Sequence, residues 1–152
     1  MSRSTPPVAG PKATPTGKDR PLVDELNTML EGRLPGLLGM RVLEADDRTV
    51  LAELTVREEL LAPNGYLHAA SVVTLADTAC GIGTRLALPE GASYTTVEIK
   101  TNYVGTARSG RVSATATRVH HGRRTQIWDA TVHDDTGRTI ALFRCTQLVI
   151  AP

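Results

Sequence analysis

The chain has 152 residues, 41% of them hydrophobic, which is enough for one compact domain with a substantial core. Its 17 basic and 16 acidic residues nearly cancel, and it contains one Trp and one Phe. This composition offers neither the basic surface nor the aromatic platforms with which proteins bind nucleic acid, so no nucleic-acid partner is expected.

Composition also indicates how the chain is divided into domains and in which compartment it works. Residues 1–20 are rich in Pro, Gly, Ser and Thr and contain no apolar signal-peptide core, so we expect a disordered tail followed by one domain over residues 21–152. No stretch approaches the eighteen or so apolar residues that a membrane span needs. Cys80 and Cys145 are far apart in probable core segments, which is typical of free buried thiols in the cytoplasm.

The first half of the domain is predicted to form a helix and a hairpin. Apolar residues from Leu22 to Leu30 recur at helical spacing after Pro21, which suits a first helical turn. Residues 40–56 then alternate between apolar and polar on either side of a turn at Asp46. A short amphipathic helix followed by two antiparallel strands is therefore expected.

The second half is predicted to form a central helix and four strands. From His68 to Leu86 the apolar residues again fit a helix. Four alternating segments follow, separated by turns at Gly110, Gly122 and Gly137. The predicted fold class is α+β, with a meander of four strands wrapped around the central helix.

One charge stands out in the central helix. From Ala69 to Thr84 the only formally charged side chain is Asp77. A buried carboxylate without a partner costs several kcal/mol, so such a group is either functional or paired. An ion pair with Lys100 or Arg85 is the structural alternative to a catalytic role.

Three segments carry a resemblance to a known family: "NGYLHAASVVTLADTACG", "TTVEIKTNYV" and "GR…WDATVHDDTGRTIAL". Over about residues 34–150 the chain resembles the hotdog-fold acyl-CoA thioesterases, and most closely the branch of the phenylacetate-degradation and 4-hydroxybenzoyl-CoA thioesterases. The most specific feature is His68 followed nine residues later by Asp77 within "LAD".

The resemblance implies an enzyme that hydrolyses an acyl-CoA to the free acid and CoA. It implies that Asp77 is the catalytic carboxylate, acting as nucleophile or as general base for water, and that the backbone N–H groups of Ala69 and Ala70 polarise the thioester carbonyl. The family usually has two glycines after the histidine, where this chain has two alanines. No bound cofactor is expected, because CoA is part of the substrate.

The nine-residue spacing has a geometric consequence. At about 100° and 1.5 Å per residue, His68 and Asp77 lie on opposite sides of one helix and about 13 Å apart along it. Two such helices packed antiparallel across a dimer axis would bring the start of one near the middle of the other. This agrees with the composite sites and dimers that the resemblance implies, so residues 65–105 are expected at a homodimer interface. Two such dimers commonly form a tetramer in this branch.

Several other residues are candidates for the site, each with a plain structural alternative. His68 either contributes to the site or caps the helix, and Asn64 either orients water or serves the Asn-Gly turn. Thr78, Gly81 and Thr84 follow Asp77 on the helix, and they are either walls of an acyl pocket or small residues needed for close packing.

Positive charges are expected to bind the phosphates of CoA. If the meander is correct, the cationic residues near its turns cluster at adjacent strand ends. These are Arg108, Arg111, His120, His121, Arg123 and Arg124. The histidines show no ligand spacing with Cys or carboxylates, so no metal site is predicted.

Two other classes of function stay open on the sequence alone. A hotdog dehydratase or hydratase usually carries a His-Phe-Pro or Asp-x-Asn-x-x-His pattern, and neither is present. A non-catalytic acyl-CoA-binding or regulatory protein, or a purely structural dimer, would tolerate loss of the carboxylate. The presence of Asp77 argues against these without removing them.

Overall fold

A computed structural model describes residues 20–152 of the chain. The predicted tail over residues 1–20 lies outside the described residues, apart from Arg20, where the first helix begins. The helices are α1 (Arg20–Leu30), α2 (Leu34–Leu37) and α3 (Ala69–Leu86), with a 3₁₀ turn over Glu58–Leu60. The strands are β1 (Arg41–Ala45), β2 (Thr49–Thr55), β3 (Ser93–Tyr103), β4 (Arg111–His121), β5 (Thr125–Asp134) and β6 (Thr139–Ile150).

The six strands form one antiparallel sheet in the order β1-β2-β4-β5-β6-β3. The predicted helices, hairpin and strands are all present. The predicted meander is wrong in one respect, because β3 pairs with β6 and not with β4. The connection after β3 runs past the beginning of β6, where the N–H groups of Val104 and Gly105 donate to the carbonyl of Ile140. The chain then enters β4 beside β2.

The edge position of β3 follows from its side chains. In β2 and β5, and over parts of β4 and β6, alternate residues are buried, whereas no residue of β3 is fully buried. Glu98 and Lys100 lie in the middle of β3, and charges are a common feature of edge strands. The register of β3 against β6 shifts between Thr96 and Glu98, so Val97 is the extra residue of a β-bulge.

Two short helices had no counterpart in the sequence analysis. The four residues of α2 and the three of the 3₁₀ turn are too short to show a periodic pattern. Within residues 20–152, no helix is both long enough and apolar enough to cross a membrane.

The core lies between α3 and the inner face of the sheet, and its largest wholly buried side chain is Trp128 of β5. The indole ring packs directly on Gly83 of α3, so closely that a β-carbon at position 83 would overlap the ring. This contact fixes the height and rotation of α3 over the sheet.

We therefore expect Gly83→Ala to lower the free energy of unfolding by about 1–3 kcal/mol, because a rigid buried ring cannot make room for the methyl group. The measurement is equilibrium urea denaturation. Gly81→Ala is the matched control: its new methyl group would meet the hydroxyl end of the half-buried Tyr94, which can move. Equal losses in both variants would contradict this account of the Gly83 contact.

Candidate active site

The start of α3 is built around His68. This residue has extended backbone angles and is the N-cap, and its Nδ1 accepts a hydrogen bond of 2.9 Å from the N–H of Ala70. Its carbonyl accepts the N–H of Ser71. His68 is thus a capping residue, and it occupies one of the two predicted carbonyl-polarising donors. Among residues 20–152, nothing accepts from the N–H of Ala69, which points out from an exposed first turn.

A cavity of about 320 Å³ opens beside this helix start. The loop before α3, the first turn of α3 and the segment after β3 line it, and most of the lining side chains are apolar. Of the predicted site residues, it brings together Asn64, His68 and Ala69. Asn64 also accepts the N–H of Tyr66 through its Oδ1, which is ordinary turn chemistry.

Asp77 lies near the middle of α3 and is absent from the wall of this cavity. Its carboxylate is half-buried, and its Oδ1 accepts a hydrogen bond of 3.1 Å from Thr96 on β3. Burial raises the pKa of Asp77 above its ordinary value, and the Thr96 hydrogen bond opposes part of that rise. Within residues 20–152, neither Lys100 nor Arg85 forms an ion pair with this carboxylate.

Thr96 and its neighbour Gln147 were missed by the sequence analysis. Gln147 is wholly buried on β6, directly opposite Thr96, and its Oε1 lies 3.0 Å from the Thr96 hydroxyl. One sequence signal was available for Gln147. It continues the inward alternation of Phe143 and Cys145, so a polar residue stands at a core position.

The other predicted pocket residues of α3 have different surroundings. Thr84 is wholly buried and its hydroxyl donates to the carbonyl of Cys80, so it serves the helix itself. Gly81 lies under the hydroxyl of Tyr94, and Thr78 is half-buried beside Asp77. None of these three residues lines the cavity at the helix start.

The predicted cluster of cations is wrong within one chain. Arg108 and Arg111 lie at the beginning of β4, whereas Arg123 and Arg124 follow its end. A strand of 11 residues separates the two groups by roughly 33 Å. Arg108 is the one beside the cavity, since its guanidinium lies 4.2 Å from the ring centre of Tyr66, a lining residue.

Both cysteines are free and buried, as predicted. Over the described part of the chain, no group of three or more His, Cys, Asp or Glu side chains is placed to hold a metal ion.

A long helix wrapped by a six-stranded antiparallel sheet defines a hotdog fold, and comparison with known proteins places this chain among hotdog thioester hydrolases. Residues 64–141 match the thioesterase superfamily, and the chain belongs to that family. A crystal structure of a variant thioesterase from Pseudomonas aeruginosa has a TM-score of 0.81 at 30% identity, covering 84% of this chain and 93% of that one.

Two relatives are both named for the same activity. The chain is 30% identical over 112 residues to the 1,4-dihydroxy-2-naphthoyl-CoA hydrolase of Listeria monocytogenes, covering 74% of this chain and 91% of the relative. It is also 30% identical over 128 residues to the 1,4-dihydroxy-2-naphthoyl-CoA hydrolase of Escherichia coli, covering 84% and 94%. These matches support thioester hydrolysis and do not single out the phenylacetate or 4-hydroxybenzoyl branch.

Proposed function

We propose that the protein is an acyl-CoA thioesterase in which Asp77 is the catalytic carboxylate. The observation that carries this is a half-buried carboxylate that has no cationic partner among the described residues and is held by one hydroxyl of Thr96. A fold that needed this charge only for stability would have paired it. The raised pKa also makes Asp77 a better base than a solvated carboxylate.

The chemistry divides between the carboxylate and the helix start. Asp77 either attacks the thioester carbon to give an anhydride, which water then hydrolyses, or takes a proton from the water that attacks. In both routes the C–S bond breaks, CoA leaves as the thiol and the acyl group leaves as the acid. The developing oxyanion accepts from the N–H of Ala69, where the helix dipole adds positive potential.

This division requires two copies of the chain. The Ala69 N–H and the cavity lie at one end of α3, and Asp77 lies about two turns further along it. We propose a homodimer in which each site combines the Asp77 of one protomer with the helix start of its partner. The exposed edge of β3 fits such an interface, since Val97 is 56% exposed and both Ile99 and Tyr103 are 46% exposed. Two such dimers would form a tetramer.

For the substrate we propose an acyl-CoA with an aromatic acyl group. The cavity is apolar and of the size that holds one aromatic group or one segment of pantetheine. Relatives named for 1,4-dihydroxy-2-naphthoyl-CoA support an aromatic acyl group over a purely aliphatic one. Arg108 beside the cavity is the candidate for a CoA phosphate. We also propose that the protein works in the cytoplasm without a bound cofactor.

The test is thiol release from a panel of aryl-CoA and alkyl-CoA esters, with the assembly state measured by sedimentation. We expect turnover that is fastest on an aryl-CoA, from a protein that sediments as a dimer or tetramer. Tight binding of acyl-CoA esters without any thiol release would instead establish the non-catalytic binding protein.

A further inference from the structure

A chain of buried polar groups continues inward from Asp77. Its carboxylate accepts from Thr96, and Thr96 lies 3.0 Å from the amide oxygen of Gln147. The Gln147 amide nitrogen in turn donates to the sulfur of Cys145 at 3.2 Å. These groups belong to α3, β3 and β6, so the chain crosses the interior between the helix and the sheet.

The Thr96 hydroxyl has too few protons for the two acceptors that it contacts. A hydroxyl has one proton, yet the Thr96 oxygen faces two acceptors, the Asp77 carboxylate and the Gln147 oxygen. When Asp77 is ionised, the proton goes to the carboxylate, because hydrogen bonds to a charged acceptor are roughly twice as strong as neutral ones. Two lone-pair oxygens would then face each other at 3.0 Å, a separation too short for a water molecule to lie between them.

A half-turn of the Gln147 amide removes this conflict. The two ends of a side-chain amide have nearly the same size, so the rotation needs no extra space. It brings Nε2 to Thr96 as a donor and Oε1 to Cys145, whose thiol can donate to it. In this series of three hydrogen bonds every donated proton then points toward the Asp77 carboxylate, and each hydrogen bond polarises the next.

We propose that Gln147 is a positioning residue of the active site, whose amide N–H donates to Thr96 and thereby directs the Thr96 proton to the Asp77 carboxylate. The proposal rests on the catalytic role of Asp77 argued above. Gln147 never touches substrate. Its rotation is coupled to the charge of Asp77, because protonated Asp77 allows Thr96 to donate to the amide oxygen instead.

Other titratable groups around the carboxylate stay neutral where Asp77 titrates. They are Cys80 on α3 and Tyr94 on β3. The charged groups nearby are Arg85, which lies near Tyr94, and Asp129, which lies near Cys80 and is paired with Arg144. A hydrogen bond with Cys145, together with burial, raises the pKa of Cys80, and burial raises that of Tyr94. Because Asp129 is a second carboxylate in this region, the acidic limb of the pH profile is compared with the assigned carboxyl titration of Asp77 itself.

The experiment compares Gln147→Leu with Gln126→Leu. Gln126 is the matched control, because it is also wholly buried, lies directly opposite Gln147 on β5, and holds Trp128 through its Oε1 without touching Thr96. The readouts are the ¹³C carboxyl titration of Asp77, assigned by its absence from Asp77→Asn, and the pH profile of kcat/KM.

We expect Gln147→Leu to move both titrations upward by roughly one pH unit, and Gln126→Leu to leave them in place. A downward shift would mean that Gln147 competes for the Thr96 proton, which overturns the proposal. An absent shift, or an equal shift in both variants, overturns it as well. In a Thr96→Val background, Gln147→Leu should add no further shift.

A measurement on the unaltered chain covers the case in which Gln147→Leu does not fold. The side-chain NH₂ resonances of Gln147 should shift with the titration of Asp77, those of Gln126 should not, and the Gln147 shift should vanish in Asp77→Asn. Gln147 NH₂ chemical shifts that stay constant while Asp77 titrates would overturn the proposal. Neither NMR titration needs turnover. Absence of thiol release would therefore contradict the proposed function, while the coupling between Gln147 and Asp77 could still be measured.

Discussion

Asp77→Asn is expected to lower kcat/KM for thioester hydrolysis by about 10²- to 10⁴-fold. The amide is too weak a base and nucleophile for either route to the acid, yet it has nearly the shape of the carboxylate and keeps an oxygen that can accept from Thr96. The measurement is thiol release under single-substrate conditions on the best ester of the panel. Unchanged hydrolysis in this variant would leave Asp77 a structural residue.

Measuring the stability of Asp77→Asn distinguishes a loss of catalysis from a loss of folding. Burial raises the pKa of Asp77 in the folded chain, so this group favours folding most below its unfolded pKa, and that contribution is lost as the pH rises through the folded pKa. At neutral pH the charged carboxylate therefore opposes folding. Asp77→Asn should be at least as stable as the unaltered chain at pH 7, with the advantage disappearing in acid.

The same shift sets the pH dependence of the unaltered enzyme. Both routes need ionised Asp77, so activity falls as the pH drops through the raised pKa. The acidic limb of kcat/KM should lie above the ordinary Asp value of about 4. A limb at or below that value would contradict the assignment of the half-buried Asp77 as the catalytic base or nucleophile.

Ala69→Pro is expected to lower kcat by about 10²- to 10³-fold while leaving the fold intact. Proline removes the N–H that we assign to the oxyanion, and Ala69 is the first residue of α3, the position that helices tolerate best for proline. The preceding His68 already has the extended angles φ −62° and ψ 137° that a residue before proline prefers. Thiol release and the far-ultraviolet circular dichroism spectrum are measured on the same sample.

Ala69→Gly is the matched control, because it changes the side chain and keeps the N–H. It should retain hydrolysis within a few-fold, and an equal loss in both variants would remove the oxyanion role.

Mixing Asp77→Asn with Ala69→Pro then tests the composite site. After subunit exchange, half of the dimers are mixed and each has one intact site, so about a quarter of the activity should return. No recovery after complete exchange would place the site within one chain.

Local sequence patterns predicted the elements well, because each element is marked by its own periodicity. The central helix and the hairpin at Asp46 are both set by neighbours in sequence. The position of β3 was not predictable in this way, since strand order depends on which apolar faces meet in three dimensions. The predicted arginine cluster failed for a different reason. Arg108 precedes β4 and Arg124 follows it, so the two lie at opposite ends of one strand whatever the strand order.

The residues of the candidate site likewise differ in whether local sequence or only the three-dimensional structure reveals them. Asp77 could be found from the sequence because a single charge within an apolar helix is unusual. Thr96 could not, because its role comes from contacts across 19 and 51 residues of chain. The alternation of β6 marks Gln147 as a polar residue at a core position, but its contact with Thr96 became evident only from the geometry. His68 was placed correctly at the helix start, but its capping bond to Ala70 became evident only from the geometry.

The bulge at Val97 allows one strand to contact both the start and the middle of the central helix. Thr96 reaches inward to Asp77, and seven residues later the hydroxyl of Tyr103 donates to the carbonyl of Ala69. Side chains an odd number of positions apart point to opposite faces of a regular strand, so these two contacts are incompatible without an inserted residue. The bulge supplies that residue. Val97 thus restores the side chains of Thr96 and Tyr103 to the same face of the strand. Asp77 and the helix start are therefore supported by one strand because of a single residue that takes no part in the ladder.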